Sequence, residues 1–205
     1  MKLWACLAAL PLASVVEADR LIQAPTGKKI PLGVFRIEHV LASDIDGRYE
    51  TYVGMGLTRE FDAELTLDRD FGKLRDASAN FAYNYVDPIA DTNPGLSAGV
   101  QDAFDRTKSG RRFFLAATFR SSVSGYELFN TPMETSLGLT IGSRWAMMPM
   151  VAVWLPMNSR FRLLLEAEGG RVRMGFELTT IRSLTFRWVQ LDRQSYWVVG
   201  TTQRL

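Results

Sequence analysis

The sequence predicts an all-β protein that forms a closed, antiparallel, up-and-down transmembrane β-barrel of about 10–12 strands. Three observations lead to this prediction. The chain opens with a charge-free apolar run behind a basic residue, apolar and polar residues then alternate with period two, and the alternating segments are about nine residues long, which suits a tilted membrane strand.

Residues 1–18 are expected to be a signal peptide. Lys2 supplies the positive charge, no charged residue lies between Leu3 and Val16, and Val16 and Ala18 place small residues before the expected cleavage point. A short buried helix is the alternative. Residues 19–205 are then a single β-barrel domain, and the one cysteine, Cys6, would leave with the signal.

The composition excludes several functions. Lys plus Arg is 24 and Asp plus Glu is 22, so the net charge of +2 argues against a nucleic-acid partner. One His and one Cys exclude a zinc site built from these residues alone, and we expect no metal and no cofactor. A mean hydropathy of −0.03 argues against a bundle of membrane helices.

Twelve segments are predicted as strands. Residues 61–68 are typical, with Phe61 and Leu65 on one face and Asp62 and Glu64 on the other. Turn-forming pairs and triplets separate many of these segments. The twelve are 33–41, 49–57, 61–68, 77–86, 96–103, 112–120, 135–142, 148–155, 160–168, 171–179, 183–191 and 196–204.

The segment 145–157 is apolar on both faces. It is too short for a membrane helix and contains Pro149 and Pro156, so it is interpreted as a strand covered on both sides. Because an even number of strands returns the chain to its starting side, both termini are expected in the periplasm.

Alternation alone does not distinguish a soluble barrel from a membrane barrel. Aromatic residues near the ends of the apolar faces favour a membrane girdle. They are Tyr49, Phe61, Tyr83, Tyr85, Trp145, Trp154, Trp188, Tyr196 and Trp197.

Charged residues on the polar faces are predicted to form the inner wall. Arginine prevails over lysine there, as is expected where guanidinium groups pair with carboxylates in a confined space. The predicted charged lining is Arg36, Glu38, Glu50, Asp62, Glu64, Arg112, Arg160, Arg162, Glu166, Arg171, Arg173, Glu177 and Arg187. These groups either line a narrow water-filled passage or pair and plug it, and an ordinary solvated sheet face is the simpler alternative.

Several segments resemble the YjbH-type outer-membrane barrels associated with exopolysaccharide export. They are residues 24–27, the stretch 94–102 (PGLSAGVQD), the strand 112–119 (RFFLAATF), the Gly-spaced 136–142 and the stretch 164–176. The final residues 197–205 partly resemble the terminal signal that the barrel-assembly machinery recognises. The resemblance implies the outer membrane of a Gram-negative (diderm) bacterium and a link to envelope polysaccharide.

The expected function is therefore a non-enzymatic outer-membrane barrel, structural or a narrow pore. Its expected partners are outer-membrane lipid, the barrel-assembly machinery, and a polysaccharide or small solute. The first alternative is a secreted soluble barrel that binds an apolar ligand in the lipocalin manner. The second is an outer-membrane hydrolase.

Few residues support the hydrolase. The single histidine, His39, shares a face with Phe35 and Ile37 and is expected toward lipid, which argues against a catalytic triad. Asp62 and Glu64 could form a carboxylate pair, but any polar strand face places carboxylates at this spacing.

Overall fold

The computed structural model describes residues 25–42, 48–70, 73–107, 110–122, 132–142, 146–180, 183–191 and 194–205. The predicted signal peptide and Trp145 lie outside the described residues. Both therefore stay predictions.

Twelve antiparallel strands form one closed barrel, and each strand pairs with its neighbours in sequence. They are β1 (Val34–Ala42), β2 (Arg48–Gly56), β3 (Phe61–Asp70), β4 (Lys73–Val86), β5 (Gly95–Gln101), β6 (Arg112–Ser121), β7 (Met133–Gly142), β8 (Met147–Pro156), β9 (Phe161–Glu168), β10 (Arg171–Thr179), β11 (Leu184–Leu191) and β12 (Gln194–Arg204). The ring closes where β1 pairs with β12, from Val34 opposite Arg204 to Ala42 opposite Tyr196. The predicted up-and-down barrel is confirmed.

The alternation in the sequence separates an apolar outer face from a polar inner face. Leu115, Val151 and Met174 point outward and are 44–59% exposed in the isolated chain. Glu38 points inward and lies opposite Tyr52 on β2 and Gly200 on β12. An exposed apolar outer face around a buried polar interior is the pattern of a membrane-spanning barrel.

The strands β6, β8 and β9 contribute an apolar cluster inside the barrel. It consists of Phe114, Ala116, Met150, Ala152, Trp154 and Leu164, all buried. The prediction that put Trp154 and Tyr196 in the outer girdle is wrong. The Trp154 side chain lies opposite Glu134 on the inner face and is 2% exposed, and Tyr196 lies opposite the buried Val189 on the same inner face. Since β8 is apolar on both faces, its periodicity could not tell the inner face from the outer one.

The start of β1 and the end of β12 lie at the same end of the barrel, which we call the terminal end. The strand ends joined by the β2–β3, β4–β5, β6–β7, β8–β9 and β10–β11 connections also lie there. Leu205 donates its backbone N–H to the carbonyl of Gly33 at 2.7 Å, so the end of the chain is bonded to the segment that precedes β1. No helix in the described part of the chain is long and apolar enough to cross a membrane.

Candidate functional site

The register of the strands places every predicted lining residue except Arg160 on the inner face. These residues are Arg36 and Glu38 on β1, Glu50 on β2, Asp62 and Glu64 on β3, Arg112 on β6, Arg162 and Glu166 on β9, Arg171, Arg173 and Glu177 on β10, and Arg187 on β11. Arg160 lies in the exposed turn before β9, because that strand begins one residue later than the sequence suggested.

The inner charges on β9, β10, β11 and β1 form ion pairs with one another. Arg173 bonds to Glu166 on the neighbouring strand, and Arg187 bonds to Glu177 in the same way. Arg187 also reaches Glu38, with 3.1 Å between Nη2 and Oε1. All five side chains are at least nine-tenths buried, so these ion pairs lie inside the barrel; we call this part of the inner face the paired wall.

Two glycines let ion pairs reach across an intervening strand. Gly200 on β12 lies between Glu38 and Arg187, and a Cβ there would come within 3.1 Å of the Glu38 Cγ. Gly54 on β2 lies between Arg36 and Glu64, whose Nη2 and Oε2 are 2.7 Å apart. The missing side chains leave the space through which these pairs form.

A segment ahead of β1, residues 25–33, runs inside the barrel at the terminal end; we call it the strap. Leu32 forms an isolated parallel bridge with Gly56 at the end of β2. Ile30 is buried and packs close to Gly54. Toward the N-terminus, Gly27 lies against Gly95 at the start of β5. The strap therefore runs away from β1, the strand that follows it in the chain.

The inner face of the barrel supplies partners for the strap's backbone. Asp62 accepts the Ile30 N–H at 3.2 Å. The Thr118 hydroxyl accepts the Gly27 N–H at 2.8 Å, and the hydroxyl of Ser97 donates to the carbonyl of Thr26 at 2.6 Å. Polar groups on β3, β5 and β6 thus replace the regular ladder partners that the strap lacks; with Glu134 they make up what we call the strap wall.

Lys28 anchors the strap on the far side of the barrel. Its ammonium lies 2.7 Å from one carboxylate oxygen of Glu134 on β7 and 5.2 Å from the ring centre of Trp154 on β8. The Lys28 and Glu134 side chains are both more than nine-tenths buried. Arg120 is a second cation for Glu134, with Nε and Oε1 2.8 Å apart. Removing one partner of a buried ion pair is costly, and the aromatic ring adds a cation–π contact, so Lys28 is well placed to hold the strap.

A cavity of about 80 Å³, with both polar and apolar lining, lies between the strap and strands β1 and β3 to β6. Arg36, Asp62, Asn80 and Gln101 are among the residues that line it. Space of this size, lined by charged and amide groups, accommodates several water molecules. The inner face therefore combines fixed ion pairs with a small cavity beneath the strap.

The sequence did not reveal the strap or its partners Lys28, Thr118 and Glu134. The segment contains Pro25 and Pro31 and has no strand alternation, so only its position before the first strand could have drawn attention to it. Its contacts lie up to 106 residues away along the chain, which local periodicity cannot detect.

Of the candidate catalytic residues, Asp62 and Glu64 line the same cavity, and His39 lies apart from them. His39 lies on the outer face and its Nδ1 is 3.0 Å from the Thr51 hydroxyl. Asp62 binds the strap and Asn84, whereas Glu64 binds Arg36. Among the described residues, no cluster of three or more His, Cys, Asp or Glu is suited to hold a metal ion.

These features define the fold of a transmembrane β-barrel, with twelve strands in the described part of the chain. Solved structures agree with this class. One described as "KdgM porin" matches with a TM-score of 0.54 at 9% identity, over 84% of this chain and 99% of the porin. Another, "KdgM porin in complex with disordered oligogalacturonate", matches with a TM-score of 0.55 at the same identity and coverage. No family model and no curated protein matches the sequence.

Proposed function

We propose that this protein is a non-enzymatic, porin-like barrel of a Gram-negative outer membrane, with a narrow polar passage for small solutes. The observation that carries the proposal is the division of the strands into an exposed apolar outer face and a buried, ion-paired inner face. Lipid would cover the first, and polar solutes would meet the second.

The inner charges suggest which solutes would pass. Arginines of the paired wall are neutralised by carboxylates, so the wall has no broad excess of either sign. Such a lining favours small neutral polar solutes over ions. One of the similar porins was solved in complex with oligogalacturonate, which makes saccharides the first solutes to test. The resemblance to YjbH-type barrels extends the proposal to a role beside envelope polysaccharide export.

The proposed partners follow from the fold. Outer-membrane lipid would contact the outward apolar residues, and the barrel-assembly machinery would read the last strand, β12. The lipocalin-like alternative is less well supported, because a lipocalin keeps an apolar ligand cavity. Buried ion pairs and the strap occupy the interior of this barrel instead.

A pair of matched substitutions tests the membrane location. Leu115 on the outer face and Ile89 in a terminal-end loop are 59% and 55% exposed in the isolated chain. In a membrane, Leu115→Arg should lower barrel stability by about 2–4 kcal/mol near mid-bilayer, and Ile89→Arg should have little effect. Heat-modifiable gel mobility of detergent-extracted membranes measures folding. Equal effects of both substitutions, or release of the protein by osmotic shock, would contradict the proposal.

Planar-bilayer recording tests the passage. We expect discrete conductance steps from the purified full chain, and swelling of reconstituted liposomes in small neutral sugars. A folded barrel that stays silent both with and without its strap would leave a structural role only.

A further inference from the structure

The strap spans the interior of the barrel from one side to the other. It joins β1 at Gly33, contacts β2 through Leu32 and reaches β7 and β8 through Lys28. In a closed ring of twelve strands, β8 lies six strands from β2 and is therefore directly opposite. A solute moving along the barrel axis would meet this segment at the terminal end.

Glycines in the barrel wall and in the strap allow the two backbones to approach closely. A Cβ on Gly56 would come within 2.3 Å of the carbonyl oxygens of Ile30 and Pro31. Gly27 and Gly95 are equally constrained by each other, since a Cβ on either would lie 2.3 Å from the carbonyl oxygen of the other. Because these contacts are with backbone atoms, larger residues would push the strap out of its position.

Two adjacent lysines of the strap form ion pairs that differ in burial. Lys28 is buried against Glu134 and the Trp154 ring. Lys29 bonds to Asp87 in a terminal-end loop, and that carboxylate is 53% exposed. An exposed pair contributes little, whereas removal of one partner of a buried pair is costly. Lys28 should therefore hold the strap, and Lys29 should not.

We propose that residues 25–33 are a built-in plug, anchored by Lys28 on Glu134, and that solutes pass only when this plug leaves the interior. The inference rests on the proposed pore and adds a regulatory element to it. Displacement would leave Glu134 with Arg120, which already shares its carboxylate, so the barrel wall itself can remain folded.

Single-channel recording of four full-length proteins tests the plug. The wild type should be closed most of the time. Deletion of residues 25–32 should give steady open channels, and Lys28→Met should raise the open fraction by about tenfold or more, because it removes a buried cation. Lys29→Met is the matched control: it makes the same change of charge one residue away and should behave as the wild type.

Cysteine labelling reports the position of the strap independently of conductance. In a Cys6→Ser background, Ile30→Cys should react slowly with a water-soluble maleimide, since Ile30 is 6% exposed. Thr92→Cys, in an exposed loop, should react fast. Adding Lys28→Met should speed the labelling of Ile30→Cys and leave that of Thr92→Cys unchanged.

The outcomes separate the plug from the pore. A wild type that conducts as steadily as the deletion variant overturns the plug and leaves the pore. Folded variants that are silent with and without the strap overturn both. Equal effects of Lys28→Met and Lys29→Met, or fast labelling of Ile30→Cys in the wild type, overturn the anchoring role of Lys28. A rise in open fraction and labelling for Lys28→Met alone supports the proposal.

Discussion

The two halves of the inner face satisfy their buried polar groups in different ways. On the paired wall, side chains of neighbouring strands neutralise one another, as Arg173 does with Glu166. On the strap wall, Asp62, Thr118 and Glu134 bond to a segment outside the sheet. The ion-paired groups of the paired wall bond to partners on the strands themselves, whereas Asp62, Thr118 and Glu134 divide their bonds between the strands and the strap. The first should determine barrel stability and the second should determine access.

The same substitution in each half should have different effects. Glu177→Gln removes the carboxylate of a buried pair with Arg187, and we expect it to destabilise the barrel by about 3–5 kcal/mol. Glu134→Gln should cost the barrel much less, because Lys28 can leave with the strap and Arg120 is partly exposed. Guanidinium unfolding in detergent, followed by gel mobility, measures both. Similar losses of stability would show that the two halves do not differ.

Two glycine substitutions sharpen the contrast. Gly200→Ala would crowd the Thr185 hydroxyl at 2.8 Å and Glu38 at 3.1 Å, and we expect a loss of about 1–3 kcal/mol of barrel stability. Gly56→Ala would crowd the strap backbone, so it should mainly speed the labelling of Ile30→Cys. Gly142→Ala, with no atom within 4 Å of its Cβ, is the control. A destabilised barrel in Gly56→Ala with a protected strap would contradict this assignment.

A smaller effect on barrel stability is expected for a substitution between the paired wall and the strap wall. Arg112 on β6 approaches Glu168 on β9 at 3.8 Å, and the Arg112 side chain is 27% exposed. Since solvent screens this pair, Arg112→Gln should change stability by about 1 kcal/mol or less. The same unfolding assay applies. A loss comparable with that of Glu177→Gln would indicate that the two halves are a single electrostatic network.

The smallest expected effect on stability concerns the loop after β5, which lies at the end of the barrel opposite to the strap. Asp102 follows β5 and accepts hydrogen bonds from the backbone N–H groups of Arg106 and Thr107 and from the Thr107 hydroxyl. Burial disfavours its charged form, but these bonds outweigh burial and hold the pKa of Asp102 below its ordinary value of 3.8.

A lowered pKa gives this loop a defined pH dependence. The stabilisation is complete above pH 3.8 and is lost as the pH falls through the lower folded pKa. Pepsin cleavage at Phe104, which is 64% exposed, should therefore accelerate at the acid end of the pepsin range. Asp102→Asn should abolish that acceleration; a variant that keeps the wild-type pH profile would show that another group is responsible.

The sequence was informative wherever one face of a strand is apolar and the other polar. Strands such as β3 and β10 have strict alternation, and this pattern predicted both their existence and which charges face inward. It failed at β8, where both faces are apolar, and Trp154 was assigned to the wrong side. The sequence could not identify the strap. The position of residues 25–33 depends on partners far away in the chain and on glycines of the barrel wall, which come close to the strap only in the folded barrel.

The strap also constrains the order of assembly. Residues 25–33 precede all twelve strands, yet Gly27 bonds to a residue 91 positions later and Lys28 to one 106 positions later. Contacts at such separations form slowly, because the intervening chain must first be brought together. Residues 25–33 are therefore expected to be among the last parts of the described chain to reach their final position. Residues 25–33 can reach their final position only after β7 is in the sheet, because Lys28 pairs with Glu134 on that strand.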